Sequence, residues 1–326
     1  MAYTRRDFGK MAMAAVPAAA ALSSAAPASA AAPNSKISGV QIGLITYSLR
    51  QGVAKADLPA TIAKIGINSV ELMSGDAEAM AGAPVVPAGR GGGGGRAPLT
   101  PEQQAAQVAA RKAITDWRAA ATPATFQAVR KQFNDVGIDL QILCYNMGVT
   151  ITDEEIDYAF RMAQAMGVRA ISSSSTVSVA KRVAPFADKY KLMWGGHGHN
   201  NITDPEQFGT EESFEKIMSF SKYIGVNLDI GHFTAAGFDA VPFITEVHGR
   251  ITNIHLKDRT RPDQCGVSGN LVWGQGQTPI KEVLLMMKKN TYTVPANIEL
   301  EYQVPRDSDS PAEVAKCYEF VKKCFA

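Results

Sequence analysis

The sequence predicts an α/β chain closed into a single (β/α)8 TIM barrel. Three features predict it. Short apolar runs alternate with helix-length segments, and eight such pairs can be counted between Gln41 and Phe325. Alternation of this kind implies a parallel sheet, and eight repeats over about 250 residues fit a closed barrel. No G-x-G-x-x-G follows the first strand, so the rival doubly wound open sheet lacks its main support. Finally, ionisable residues recur at the C-terminal ends of the predicted strands, where a barrel of this kind builds its site.

Each element has its own signal. Gln41–Ser48 is the first strand, and Ala54–Ile65 a helix closed by Gly66. Asn68–Met73 is strand two. The pattern then breaks over 76–122: Ala77–Leu99 is rich in Ala, Pro and Gly and contains Gly91–Gly95, which reads as a surface loop, and Pro101–Ala119 is a helical insert. A phosphate cradle would need a following Lys-Ser/Thr or a helix in register, and neither is present. Pro123–Val136 is the helix belonging to strand two. Ile138–Tyr145 is strand three, followed by a helix over Asp153–Met166 that Asp153 caps and Gly167 ends. Strand four, Val168–Ser173, precedes the helix Ser178–Tyr190. Strand five, Lys191–Gly195, runs into His197-Gly198-His199. The helix Thr210–Tyr223 leads to strand six, Gly225–Ile230, and the helix Ala240–His248 to strand seven, Ile251–Leu256. A Gly-rich loop, Gln264–Gln277, precedes the helix Pro279–Lys289. Strand eight, Ala296–Glu301, and the helix Pro311–Phe325 complete the count.

The N-terminal thirty residues stand apart. Thr4-Arg5-Arg6-Asp7-Phe8-Gly9-Lys10 resembles a twin-arginine export signal; an Ala-rich run follows, and Ala28-Ser29-Ala30 fits a cleavage site. The expectation is a leader over 1–30, a barrel over 31–326 and a periplasmic or secreted protein. Pro17 and the small residues around it argue against a retained membrane helix, so no stable membrane insertion is expected. Without Arg5, Arg6, Lys10 and Asp7, the 33 basic and 31 acidic residues become 30 of each. A neutral mature chain argues against nucleic acid as a partner. Four cysteines, Cys144, Cys265, Cys317 and Cys324, form no CxxC or zinc-ribbon spacing. Cys317 and Cys324 lie about 10 Å apart along one predicted helix, too far to bridge.

The chemistry-bearing residues cluster at strand ends. Glu71 ends strand two, and His197 and His199 end strand five. Asp229 ends strand six, with His232 just past it. His255 and Lys257 end strand seven, and Glu299 and Glu301 end strand eight. Four of the five histidines fall on three strand ends; His248 lies in a helix. Residues two apart share a strand face, so His197/His199, His255/Lys257 and Glu299/Glu301 each point the same way. Burying such groups unpartnered costs several kcal/mol each, and a divalent cation offsets that cost. Mixed carboxylate and imidazole donors suit Mn, Co, Zn, Mg or Fe(II).

Leu228-Asp229-Ile230-Gly231-His232, Ile254-His255-Leu256-Lys257-Asp258 and Ile298-Glu299-Leu300-Glu301 resemble the xylose isomerase-like TIM barrels, the sugar phosphate isomerase/epimerase family. His197-Gly198-His199-Asn200 resembles that family's strand-five segment, and Trp273-Gly274-Gln275-Gly276 its Gly-x-Gly turn. The resemblance runs from about Val40 to Phe325. It implies one divalent metal held by His197, Asp229, His255 and Glu299, with Glu301 the rival to Glu299. Many of the family's isomerases and epimerases have Glu on strand five, acting as one of two acid/base carboxylates. His197 stands there instead, which weakens two-base epimerisation and leaves isomerisation, β-elimination or hydrolysis.

The expected activity is that of a metal-dependent sugar isomerase/epimerase that abstracts a proton next to a carbonyl. Glu299, Glu301 or His199 would move the proton. Lys257 and His232 would bind hydroxyls or a developing oxyanion, and Glu71 and Trp273 would contact substrate. The expected partner is a small neutral sugar or keto-sugar; a lyase or hydrolase of 3-keto-glycosides is the alternative. A homo-oligomer is compatible with the sequence. Asp258 is expected to shape the turn that leaves strand seven.

Overall fold

Eight parallel strands close into a ring in the computed structural model, which describes residues 32–86, 100–262 and 269–326. They are β1 (Val40–Ile45), β2 (Ser69–Met73), β3 (Asp139–Cys144), β4 (Ala170–Ser174), β5 (Met193–His197), β6 (Ile224–Asp229), β7 (Ile251–Leu256) and β8 (Ala296–Ile298). Each pairs with its sequence neighbours, and β8 pairs back onto β1, so no barrel edge remains open. A two-residue strand, Lys36–Ile37, adds antiparallel to β1. The leader, the Gly91–Gly95 run and Cys265 lie outside the described residues.

Strand alternation sorts the side chains into two layers. On β7, Ile254 and Leu256 are fully buried and alternate with Asn253 and His255. Neighbouring strands repeat this, so one set of side chains packs under the helices while the other fills the barrel. The helix-side set includes Ile42, Leu44, Val226, Leu228 and Ile298. Each contributes about 1.5–3 kcal/mol by burial.

The helices follow the predicted order with shifted ends. Asp153–Met166 starts one residue after its cap: Thr152, not Asp153, accepts the Glu155 backbone N–H at 3.2 Å, and Asp153 sits in the first turn. Strand five runs to His197 rather than Gly195. Strand eight ends at Ile298, although the Glu299 N–H still donates to the Leu256 carbonyl at 3.0 Å. A helix over Ser74–Met80 occupies the start of the predicted loop, and Pro101–Ala120 forms the inserted helix. Arg118 of that helix pairs with Glu78 at 2.8 Å, tying the insert to the segment after β2. Among the described residues, no helix is long and apolar enough to cross a membrane. Cys144, Cys317 and Cys324 are buried free thiols.

Candidate metal centre

The strand register sets the site. Asp229 on β6 lies beside His255 on β7, and His197 on β5 beside Asn227 on β6. Asn297 on β8 pairs with His255, which places Glu299 two residues beyond, just above the ladder. His197, Asp229, His255 and Glu299 each direct one ligand atom into a group whose members lie within 4.8 Å of one another, and all four are buried.

Each of these residues has one buried side-chain atom that completes no hydrogen bond among the described residues: His197 Nδ1, Asp229 Oδ2, His255 Nδ1 and Glu299 Oε2. His255 Nδ1 lies 2.8 Å from Glu299 Oε2 but is misaligned for one. Two of the four atoms, Asp229 Oδ2 and Glu299 Oε2, share the Lys257 ammonium at 2.9 Å each, and gathering buried lone-pair atoms that make no hydrogen bond is costly unless cations hold them. Two imidazoles and two carboxylates fit a divalent metal on charge and donor type. Of the rival carboxylates, Glu299 enters this group; Glu301 stays outside it, bound to Lys257.

Below these four residues Glu71 anchors a buried hydrogen-bond cluster. Glu71 is fully buried in the middle of β2. Its Oε2 accepts from His255 Nε2 at 2.7 Å, Asn253 Nδ2 at 2.8 Å and Asn297 Nδ2 at 2.7 Å, and its Oε1 from the Ser172 hydroxyl. Because Nε2 donates to Glu71, Nδ1 is left for a metal, the carboxylate–histidine arrangement common at metal sites. Glu71 therefore stands behind His255, off the cavity wall, and the expectation of a substrate contact is corrected. Its depth in the strand is the reason: it faces inward one layer below the mouth.

Lys257 is the buried cation of the site. Its Nζ lies 2.6 Å from Glu301 Oε2 and 2.9 Å from both Asp229 Oδ2 and Glu299 Oε2. Only the Glu301 contact has hydrogen-bond geometry. Gly231 makes room for the stem: a Cβ there would meet Lys257 Cγ and come within 2.9 Å of the Lys257 carbonyl. Burial opposes the ammonium, but Asp229, Glu299 and Glu301 outweigh it and hold the pKa above its ordinary value. Burial likewise opposes charge on Glu299, yet Lys257 and His255 hold its carboxyl well below the usual range. Asp229 is pushed up to about 6 by burial, with Lys257 pulling the other way. For His255, burial is outweighed by Glu71 and Glu299, so its pKa is raised. His197 is held neutral, chiefly by burial and then by His255.

His232 takes a different part. Asp229, the cap of the helix Ile230–Ala235, accepts the His232 backbone N–H at 2.7 Å. Arg259 Nη1 donates to His232 Nδ1 at 2.6 Å. An arginine only donates, so Nδ1 accepts and the neutral ring carries its proton on Nε2. Burial, then Lys257, lowers the pKa of His232. His197, His199 and His232 also lie within 4.8 Å of one another, but His232 offers that group an N–H rather than a lone pair.

A cavity of ≈ 320 Å³ opens over the centre, lined by His197, His199, His232, His255, Lys257, Glu299 and Glu301 on one side and by Tyr47, Asn146 and Ser174 on the other. Trp273 is not on its wall. It is buried against Phe320, ring centroids 5.8 Å apart, so the expectation of a sugar platform is corrected. Asp258 accepts the backbone N–H groups of Gly274 and Gly276, each at 2.8 Å, and shapes the loop as expected. Sequence reasoning missed Asn227, Asn253 and Asn297, which surround the His255–Glu71 pair. A signal was present: Asn227-Leu-Asp229, Asn253-Ile-His255 and Asn297-Ile-Glu299 repeat Asn two residues before a candidate ligand on three consecutive strands.

Among solved structures, the chain is similar to a sugar phosphate isomerase/epimerase from Parabacteroides distasonis (16% identity, TM-score 0.53, 89% of this chain and 96% of that one). It is similar to the IolI protein with a bound zinc atom (15%, 0.59, 88% and 100%), and to the probable 3-DHS dehydratase AsbF from Bacillus anthracis (11%, 0.58, 87% and 98%). At such identities the likeness is one of fold. No curated protein matches the sequence. The family model for the xylose isomerase-like TIM barrel matches residues 60–324, and the chain belongs to that family.

Proposed function

We propose that this protein is a divalent-metal-dependent enzyme that moves a proton next to the carbonyl of a sugar or keto-sugar. The convergence of four buried residues, each with a side-chain atom that completes no hydrogen bond, beneath a polar cavity carries this reading. The ligands are His197, Asp229, His255 and Glu299. When bound, the metal supplies Lewis-acid polarisation of a carbonyl oxygen.

The chain's own groups divide the remaining work. Glu301 is one-fifth exposed, lines the cavity and has Oε2 on Lys257, so it serves as the base. Lys257 stabilises negative charge as it develops beside that carboxylate. His232, held by Arg259, presents Nε2–H as a neutral donor toward a substrate oxygen. His199, also kept neutral chiefly by burial, is the second proton carrier on the wall. Asn146 and Ser174 supply polar contacts across the cavity.

Among the described residues lining the cavity, Glu299 and Glu301 are the only carboxylates, and both follow β8. Epimerisation between two carboxylates on opposite faces lacks its second partner. That observation favours one-base chemistry: isomerisation first, and elimination or hydrolysis of a 3-keto-glycoside as the second reading. The twin-arginine leader would place the enzyme in the periplasm or outside the cell, where neutral sugars outnumber sugar phosphates.

A keto-sugar panel followed by NMR in D2O tests the proposal. Solvent deuterium should enter the carbon next to the carbonyl in wild type, and Glu301→Gln should slow that exchange at least ~100-fold. Exchange at the wild-type rate in Glu301→Gln would refute the assigned base.

A further inference from the structure

A second cavity adjoins the first. It measures ≈ 330 Å³ and is lined by Ser48, Arg50, Gln51, Glu301, Gln303 and Ser310, among others. The two cavities share Glu301. They also share a piece of chain: on the turn Thr46–Leu49, Tyr47 faces the first and Ser48 the second. Glu301 is thus the partition between the space over the metal ligands and the space beside it.

Arg50 is held in place there. Its Nη1 donates to the Tyr47 carbonyl at 3.0 Å and the Leu300 carbonyl at 2.9 Å, joining the exits of β1 and β8. The guanidinium carbon lies 4.1 Å from the Tyr47 ring centroid. Among the described residues, Arg50 has no carboxylate partner, and its Nε and Nη2 make no hydrogen bond. Fixing a guanidinium by backbone carbonyls and an aromatic face leaves the rest of its fork available at low entropic cost. Gln51 and Gln303 add amides that both donate and accept.

The pairing of charges narrows the ligand. Arg50 alone would suit an anion, but Glu301 shares the cavity and repels one. A neutral group rich in hydroxyls satisfies guanidinium, carboxylate and amides together. We infer that the Arg50 cavity is a second subsite that takes a further sugar unit, so that the substrate is a glycoside or disaccharide rather than a free monosaccharide. This rests on the reading of the first cavity as a sugar site. The linkage between the units would pass beside Glu301, the group assigned as base.

Calorimetric titration of the metal-loaded enzyme with glucose, 3-keto-glucose, cellobiose and trehalose tests the inference. At least one disaccharide should bind about tenfold or more tightly than the best monosaccharide, a gain equivalent to about 1.4 kcal/mol. Arg50→Met and Gln303→Ala should each remove most of that gain and leave monosaccharide binding unchanged. Because Arg50 also joins two strand exits, thermal melts accompany both variants, and Gln303→Ala, which removes no such link, provides the independent arm. Monosaccharide binding with no disaccharide gain, or a gain that survives both variants, overturns the second subsite alone. Failure of every sugar to bind the folded, metal-loaded protein would overturn the sugar-site reading and this inference with it.

Discussion

Replacing Glu71 by Gln removes one charge from the barrel interior and almost no volume. Its Oε2 accepts three N–H donors, from His255, Asn253 and Asn297, at 2.7–2.8 Å, and its Oε1 accepts the Ser172 hydroxyl. A glutamine must turn its NH2 to Oε1, because at Oε2 it would oppose three donors. The Ser172 hydroxyl can rotate to accept it. The three remaining bonds then lose their charge assistance, falling from about 1.5–3 to about 0.5–1.5 kcal/mol each. The sum is a destabilisation of about 3–4.5 kcal/mol. His255 also becomes less basic and less firmly oriented, which lowers metal affinity about 10–100-fold. Urea denaturation with chelator present reads the first quantity, and calorimetric titration with Mn(II) or Zn(II) the second. A variant that keeps wild-type stability and metal affinity while raising KM would refute this account and restore Glu71 as a substrate contact.

Three other outcomes follow from the same geometry. Lys257→Met should bind metal more tightly, on the order of tenfold, because a like charge beside Asp229 and Glu299 is gone; without metal it should lose about 3–5 kcal/mol of stability, since three carboxylates lose their cation. Weaker metal binding in that variant would show that Lys257 supports the ligands rather than competing with the ion. Metal binding should weaken as pH falls, by about tenfold or more per pH unit below about 6: the Asp229 carboxyl, raised to about 6 chiefly by burial, and His255, whose pKa is raised against burial by Glu71 and Glu299, must each lose a proton before they can coordinate. An affinity flat from pH 7 to 5 would contradict the assignment. Asp258→Ala frees the N–H groups of Gly274, Gly276 and Thr278; it should cost about 1–3 kcal/mol in thermal or urea unfolding, with metal content unchanged, and loss of the metal instead would place Asp258 in the centre.

Much of the architecture was legible because it is periodic. All eight strands and their order can be read from apolar runs set between helix signals, and the metal-competent residues from where those runs stop. The end of strand five was not, because Gly195 and Gly196 carry little strand preference, and His197 consequently reads as loop. Glu299 and Glu301 were indistinguishable by parity, since both share a face; the course of the chain beyond Ile298 brings Glu299 among the candidate ligands and leaves Glu301 outside them, though both touch Lys257. Depth was the other hidden quantity. Alternation shows that Glu71 faces inward but not at which layer, so a buried support for His255 reads like a residue at the mouth. Trp273 misled in the opposite sense: its Gly-rich loop suggests exposure, while Phe320, far along the chain, covers it.

If His197, Asp229, His255 and Glu299 hold one divalent ion, elemental analysis of the purified, folded protein should find about one bound divalent ion per chain in wild type, and none in Asp229→Ala or His255→Ala. A wild type that binds none when dialysed against Mn(II), Co(II), Zn(II), Mg(II) or Fe(II), or folded variants that retain a full equivalent, would contradict that assignment.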